Sequence, residues 1–159
     1  MSLSLLLAST NLKIFFMTNS NKPNTLFWVI GIIALIWNAM GVMAYVAQAY
    51  MTDEMKAALP EAERALYEDI PAWYTAAFAI AVFAGLLGCI LLLMKKKLAK
   101  PVFLISLIGI VIQMFYNFFM SRAAEVYGPG GMVMPVMVII LGVFLYYYAK
   151  KSEAKGWLS

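Results

Sequence analysis

The chain has no histidine, a single cysteine and few charged residues, which make up 13% of its 159 positions. Histidine is the commonest protein ligand for metals, and the lone Cys89 cannot form an intramolecular disulfide. The carboxylates lie in polar stretches, without the histidine or cysteine partner typical of an acid–base or nucleophilic site. We therefore expect neither an enzyme nor a bound metal or other cofactor.

Long apolar runs take the place of the missing charge. Hydrophobic residues make up 64% of the chain, against about 45–50% in a typical soluble protein. A membrane-spanning helix needs about 20 predominantly apolar residues. The sequence predicts an all-α integral membrane four-helix bundle over residues 27–151, followed by a cytoplasmic tail at residues 152–159. The four predicted spans are residues 27–50, 72–94, 102–121 and 132–149, and none contains a charged residue.

The first 26 residues leave two alternatives open. Residues 2–8 are apolar but too short for a secretory signal, and no basic residue precedes them. Residues 17–25, MTNSNKPNT, resemble a polar beginning. Either Met17 is the translation start and the preceding residues are an upstream extension, or residues 1–26 lie at the membrane interface.

The basic residues predict how the bundle is oriented. Lysines beside an apolar run are retained on the cytoplasmic side, and the turn at residues 95–100 contains four of them. With both termini on that side, nine of the twelve basic residues are cytoplasmic, and the exceptions are Lys56, Arg64 and Arg122. We expect a multi-pass protein of the bacterial inner membrane. Because the lysines cluster at the ends of apolar runs, the expected partner is the lipid bilayer and not nucleic acid.

The segment between the first two spans, residues 51–70, is acidic and predicts an aqueous loop on the outer side. Apolar residues recur there at helical spacing, and Pro60 and Glu61 suit the first turn of a helix. The loop is therefore expected to contain a short amphipathic outer helix. The apolar positions are Leu59, Ala62, Leu66 and Ile70.

Uncharged polar side chains form a stripe along each of two predicted spans. They either make interhelical hydrogen bonds or line a site for a polar solute. Asn38 and Gln113 each lie about 17 Å from the cytoplasmic end of their span, at about 1.5 Å per residue, so we expect them to share a hydrogen bond or one cavity. The candidate residues are Trp37, Asn38 and Gln48 in the first span and Gln113, Tyr116 and Asn117 in the third.

Small residues form a second pattern, which predicts close helix packing. Within lipid, helices gain packing energy where small side chains let their backbones approach. Cys89 belongs to this pattern, so we interpret it as a packing residue and not as a redox thiol. The predicted packing residues are Gly41, Ala77, Ala81, Gly85, Gly88 and Cys89.

From Phe27 to Lys151 the chain resembles short bacterial four-span membrane proteins that are commonly labelled sugar transporters. The matching stretches are WNAMGVMAY from Trp37, RALYEDIPAW up to Trp73, AFAIAVFAGLLG up to Gly88, LLLMKKK, and SLIGIVIQ up to Gln113. The resemblance implies a transporter, but it assigns no functional residues.

Two functions are compatible with these patterns. The first is facilitative transport of a small polar solute such as a sugar, by a homo-oligomer, since four helices alone leave little room for a binding site. The second is a non-catalytic accessory or scaffold subunit of a larger membrane protein complex, which docks through its small-residue stripe and its outer helix.

Overall fold

A computed structural model describes residues 22–68 and 70–159, so the alternatives for the N-terminal segment fall largely outside the described residues. Of the described residues 82% are helical and none is in a strand, which confirms the all-α prediction. The helices are α1 (Thr25–Ala49), α2 (Asp53–Ala57), α3 (Glu61–Glu68), α4 (Ala72–Leu93), α5 (Ala99–Phe119), α6 (Ala123–Tyr127) and α7 (Val133–Ala154), with a 3-10 turn at Pro129–Met132.

Four of these helices, α1, α4, α5 and α7, are long and apolar enough to cross a membrane. They are compatible with a multi-pass membrane protein. The helices pack in the order α1, α4, α5, α7, so that α4 and α5 form the centre. The two outer helices, α1 and α7, have few close backbone approaches to each other. The bundle is therefore an incompletely closed ring.

The centre of the bundle depends on the absence of a side chain at Gly109 in α5. A Cβ atom at this position would lie 2.9 Å from the backbone nitrogen of Ala81 and 3.0 Å from the carbonyl oxygen of Ala77. Both atoms belong to the backbone of α4 and cannot rotate away. Glycine thus allows the two helices to come into direct backbone contact, and Ile110 and Met114 pack beside it against Ala81.

One end of the bundle, which we call the lysine end, holds the Lys95–Lys97 turn and the residues that follow α7. Helices α4 and α7 both finish here with a residue in left-handed conformation, Lys95 (φ 58°) and Gly156 (φ 71°). After Lys95 the next N–H bonds back to the Leu91 carbonyl at 2.8 Å, and after Gly156 the Trp157 N–H bonds to the Ser152 carbonyl at 3.0 Å. These are paired Schellman endings, which satisfy carbonyls that the last helical turn leaves free.

The terminal residues after Gly156 fold back onto the Lys95–Lys97 turn. The Ser159 N–H donates to the Lys95 carbonyl at 2.7 Å, and the Lys97 N–H donates to the Ser159 carbonyl at 3.2 Å. Leu158 is buried in the core with Phe27. Residues 152–159, expected to form a tail that follows the bundle, thus include the last turn of α7 and a packed segment, because Gly156 reverses the chain and directs apolar side chains inward.

The opposite end, which we call the far end, carries the short helices. The acidic loop forms two of them, α2 and α3, where one helix was expected, and α3 begins directly after Pro60. The Thr52 hydroxyl caps α2 by accepting a hydrogen bond from the Met55 N–H at 3.2 Å. Helix α3 lies against α6, where burial and the neighbouring Glu63 carboxylate raise the pKa of the Tyr127 phenol.

Candidate functional site

A groove of about 380 Å³ lies in the opening between α1 and α7, with α4 and α5 as its floor. Each of the four long helices contributes to its lining. The walls are mostly apolar, and they include Ala44 of α1, Phe78 of α4, Met114 of α5 and Val138 of α7. It is larger than a second cavity, of about 210 Å³, that the described residues form.

Four of the six predicted polar residues line this groove: Trp37 and Asn38 from α1, and Gln113 and Asn117 from α5. The two polar stripes recognised in the sequence therefore face the same space. The fifth, Gln48, borders a separate cavity of about 210 Å³ at the far end.

The sixth predicted polar residue, Tyr116, belongs to an aromatic cluster beside the groove. Its ring centroid is 4.6 Å from that of Tyr74 and 5.7 Å from that of Trp73. It lies outside the lining of the groove.

Asn38 uses its amide to join α1 to α4. Its Nδ2 donates to the Ala34 carbonyl at 2.8 Å within α1, and lies 3.4 Å from the Cys89 sulfur of α4. Its Oδ1 rests against Gly85, where a larger residue would leave no room for it. Asn38 thus serves helix packing, and its donor group is already engaged within the protein.

Ser106 of α5 also lies against Gly85, and its hydroxyl donates to the Ala81 carbonyl at 2.6 Å. Asn38 is therefore level with Ser106, whereas Gln113 lies seven residues further along α5, about 10 Å away along the axis. The two amides share the groove but make separate hydrogen bonds. The expectation of equal depth fails because α1 starts further out at the lysine end than α5 does.

Gln113 and Asn117 form a polar pair one helical turn apart on α5. Gln113 is 7% exposed, and the only hydrogen bond between its side chain and the described residues is a long one, from Nε2 to the Tyr74 hydroxyl at 3.4 Å. The Asn117 amide nitrogen has a methionine sulfur at 3.8 Å, a weak acceptor. The Asn38 amide nitrogen and the Ser106 hydroxyl both donate within the protein, whereas the polar pair retains hydrogen-bonding capacity toward the groove.

The small residues of α4 occupy the contacts within the bundle. Ala77 and Ala81 face Gly109, and the ring of Phe103 covers Gly88, where an added Cβ would lie 2.8 Å from a ring carbon. Cys89 is fully buried. On α1, Gly41 faces Val82, at 3.3 Å from the position of a Cβ. These small residues of α4 and α1 are thus covered mainly from within the chain, although Gly41 and Ala81 also border the groove.

The groove offers hydrogen bonds and apolar contact, but its described lining contains no ionisable side chain. Across residues 22–68 and 70–159, no three histidine, cysteine, aspartate or glutamate residues converge on a point where a metal could bind. No family model, curated protein or solved structure matches the chain. The residues and geometry of the groove are therefore the basis for assigning a function.

Sequence patterns left the α7 wall of the groove undetected. This wall contains Pro135, Val138 and Gly142 but no polar residue, so it carries no stripe. The one sequence signal for this wall is Gly142, because a glycine marks the face of α7 that packs closely on α5. A Cβ atom at Gly142 would lie 2.8 Å from the Ile110 side chain. The contact of Tyr74 with Gln113 was also missed, because an aromatic residue near the end of a span is usually interpreted as an interfacial anchor.

Proposed function

We propose that the chain is a non-catalytic, transporter-like membrane protein that binds a small molecule in the groove between α1 and α7. The observation that carries this proposal is that Trp37, Asn38, Gln113 and Asn117, from two different helices, line one cavity. Its volume, about 380 Å³, falls within the range of roughly 300–1,000 Å³ found for ligand pockets, which are likewise mainly apolar with a few placed polar groups.

The composition of the lining favours passive binding and release over ion coupling. Proton- and ion-coupled carriers usually place ionisable side chains within their spans, whereas the described groove is lined by amides, one hydroxyl, the Trp37 indole and apolar groups. A sugar carries a hydroxyl on most of its carbons, and each needs a partner when buried. The Gln113 and Asn117 amides, which have unused hydrogen-bonding capacity, can satisfy a molecule with few polar groups better than they can satisfy a sugar.

We also propose that the lysine end faces the cytoplasm of a bacterial cell, with α2 and α3 on the outer side of its inner membrane. Supporting this, Lys95, Lys96 and Lys97 are exposed at the same end as Lys150 and Lys151, where retention of positive charge sets the orientation.

Single introduced cysteines test the orientation, because the native Cys89 is fully buried. In intact cells, a membrane-impermeant maleimide should label Glu54→Cys and should label Lys96→Cys only after permeabilisation. The reverse pattern would invert the topology.

Blocking the groove tests the binding function. Ala44 is exposed and lines the groove, so Ala44→Trp should fill part of it. Val46 is also exposed but does not line the groove, so Val46→Trp provides a control. We expect gently solubilised wild-type protein and the control to retain a small molecule by native mass spectrometry, and Ala44→Trp to lose it. If all three proteins carry nothing, and proteoliposomes take up no solute from a panel of sugars and less polar compounds, the binding proposal is wrong.

The second candidate is an accessory subunit, and the separation of α1 from α7 supports it, since a partner's helix has access between them. The small-residue stripe does not, because it is occupied inside the bundle. A protein partner that co-purifies in fixed stoichiometry with wild type and Val46→Trp, but not with Ala44→Trp, would favour this candidate over small-molecule binding.

A further inference from the structure

We propose that the bound molecule is an uncharged amphiphile, which enters sideways from the lipid between α1 and α7 and places its polar group against Gln113 and Asn117. This inference rests on the proposed function, since it assumes that the groove binds a small molecule. It adds the route of entry, the charge of the molecule and the position of its polar group.

The route follows from where α1 and α7 touch. At the lysine end Phe27 of α1 stacks on Tyr148 of α7, with ring centroids 6.3 Å apart, and meets the Trp157 ring edge-on at 5.7 Å. Phe27 and Leu158 are buried there in one apolar core with Phe103. A molecule that arrived from this end would have to displace that core. Beyond it, α1 and α7 separate, and the opening faces sideways.

The charge follows from the lining. The polar groups of the described groove are the Asn38, Gln113 and Asn117 amides, the Ser106 hydroxyl and the Trp37 indole. None can balance a formal charge, and burying an unpaired charge among apolar side chains is strongly unfavourable. A fatty acid anion, a phospholipid headgroup or an ammonium group is therefore excluded in favour of a neutral group.

The position of the polar group follows from the unused hydrogen-bonding capacity. Gln113 is 93% buried, and its carbonyl oxygen accepts no hydrogen bond from the described residues. Asn117 lies one turn away on the same face of α5. A hydroxyl between them can donate to the Gln113 carbonyl and accept from the Asn117 amide. A carbonyl can accept from either amide.

The remaining length of the groove suits the apolar part of the molecule. From Gln113 to Phe103 the floor extends ten residues along α5, about 15 Å at 1.5 Å per residue. Met114, Ile110 and Leu145 provide apolar contacts along this path. The amide donor of Asn38 and the hydroxyl of Ser106, which also lie along it, are already engaged by the protein.

Photolabelling of the full chain in lipid nanodiscs tests the inference. The probes are a diazirine-bearing fatty alcohol and a trimethylammonium amphiphile of the same chain length. We expect the alcohol to label groove-lining peptides of α1, α5 and α7, in competition with unlabelled alcohol, and the charged probe to label them at least tenfold less. Gln113→Leu should weaken competition about fivefold, the equivalent of one net hydrogen bond of about 1 kcal/mol. Gln48 lies outside the groove, so Gln48→Leu should leave competition by the unlabelled alcohol unchanged.

Three results would overturn the inference: equal labelling by the charged probe, labelling spread over the lipid-facing surface without competition, or unchanged competition in both Gln113→Leu and Gln113→Met. Gln113→Met keeps the length of the side chain and is therefore less disruptive to folding than Gln113→Leu. Size-exclusion chromatography checks that both variants are folded. If the alcohol is not bound but Ala44→Trp still removes some other retained molecule, this inference fails while the proposed function stands. If Ala44→Trp changes nothing, the proposed function fails.

Discussion

Individual residues at the lysine end carry backbone strain and an unmet hydrogen bond, and both can be measured. Lys95 holds the same left-handed conformation as Gly156, although a residue with a Cβ atom pays a steric penalty there of roughly 1–2 kcal/mol. Ser152 is 1% exposed, and its hydroxyl has no partner among the described residues. Each position has a counterpart in the chain that serves as a control.

Lys95→Gly should stabilise the protein by up to about 1 kcal/mol, because the relief of the steric penalty exceeds the added entropy of the unfolded glycine. Gly156→Ala should destabilise it by about 1–2 kcal/mol for the opposite reason. Thermal unfolding in detergent, compared at constant pH and salt, measures both. Shifts of the same sign in the two variants would show that the left-handed conformation is not what determines the effect.

Ser152→Ala should leave the free energy of unfolding unchanged or raise it by about 1 kcal/mol, since a buried hydroxyl without a partner costs its desolvation. Ser106→Ala should lower it by about 1 kcal/mol, because that hydroxyl donates to the Ala81 carbonyl at 2.6 Å. The same unfolding assay separates them. A loss of stability in Ser152→Ala comparable to that in Ser106→Ala would contradict this interpretation.

At the scale of helices, the length and apolar character of the four spans were predictable, but their ends were less so. Helix α5 begins at Ala99, before Pro101, because proline is tolerated in the first turn of a helix. Helix α7 passes through Lys150 and Lys151 and ends at Ala154, two residues before the left-handed Gly156, since exposed lysines do not end a helix whereas a left-handed glycine does. The boundary between apolar and charged sequence is therefore not the boundary of the helix.

The contact between α4 and α5 provides the prediction at this scale. Gly109→Ala should destabilise the protein by about 1–3 kcal/mol, because its methyl group would collide with the backbone of α4 and force the helices apart. Gly130→Ala, whose added methyl has no atom within 4 Å, should change stability by less than about 0.5 kcal/mol. Denaturation by titrated SDS compares the two, and equal effects would argue against a specific close approach at Gly109.

For the whole molecule, the sequence indicated which faces of α1 and α5 are polar but not how the helices are arranged around the groove. The convergence of Asn38 and Gln113 on one cavity followed from the two stripes, while their different depths depend on how far α1 projects past the lysine turn. The fold-back of Trp157 and Leu158 depends on long-range contacts with Phe27 that local patterns do not encode.

Trp157→Ala tests whether this fold-back holds α1 to α7. Loss of the ring contact with Phe27 should cost about 2 kcal/mol, less than the 3–5 kcal/mol typical of a fully buried tryptophan, because Trp157 is half-buried. Thermal unfolding measures the loss, and Trp73→Ala, at the far end and 42% exposed, gives the comparison. A larger loss of stability in Trp73→Ala than in Trp157→Ala would show that the fold-back at Trp157 is not the main contact that holds α1 to α7.

The aromatic rings at the lysine end are where α1 and α7 meet, so any approach of these two helices elsewhere would amount to a rotation about this contact. Helix α1 has 25 residues and is about 37 Å long, so a rotation of about 5° at Phe27 would displace its other end by about 3 Å. The contacts of Asn38 and Gly41 with α4 oppose such a rotation, so the spacing of α1 and α7 near Ala44 is fixed by α4 as well as by the rings.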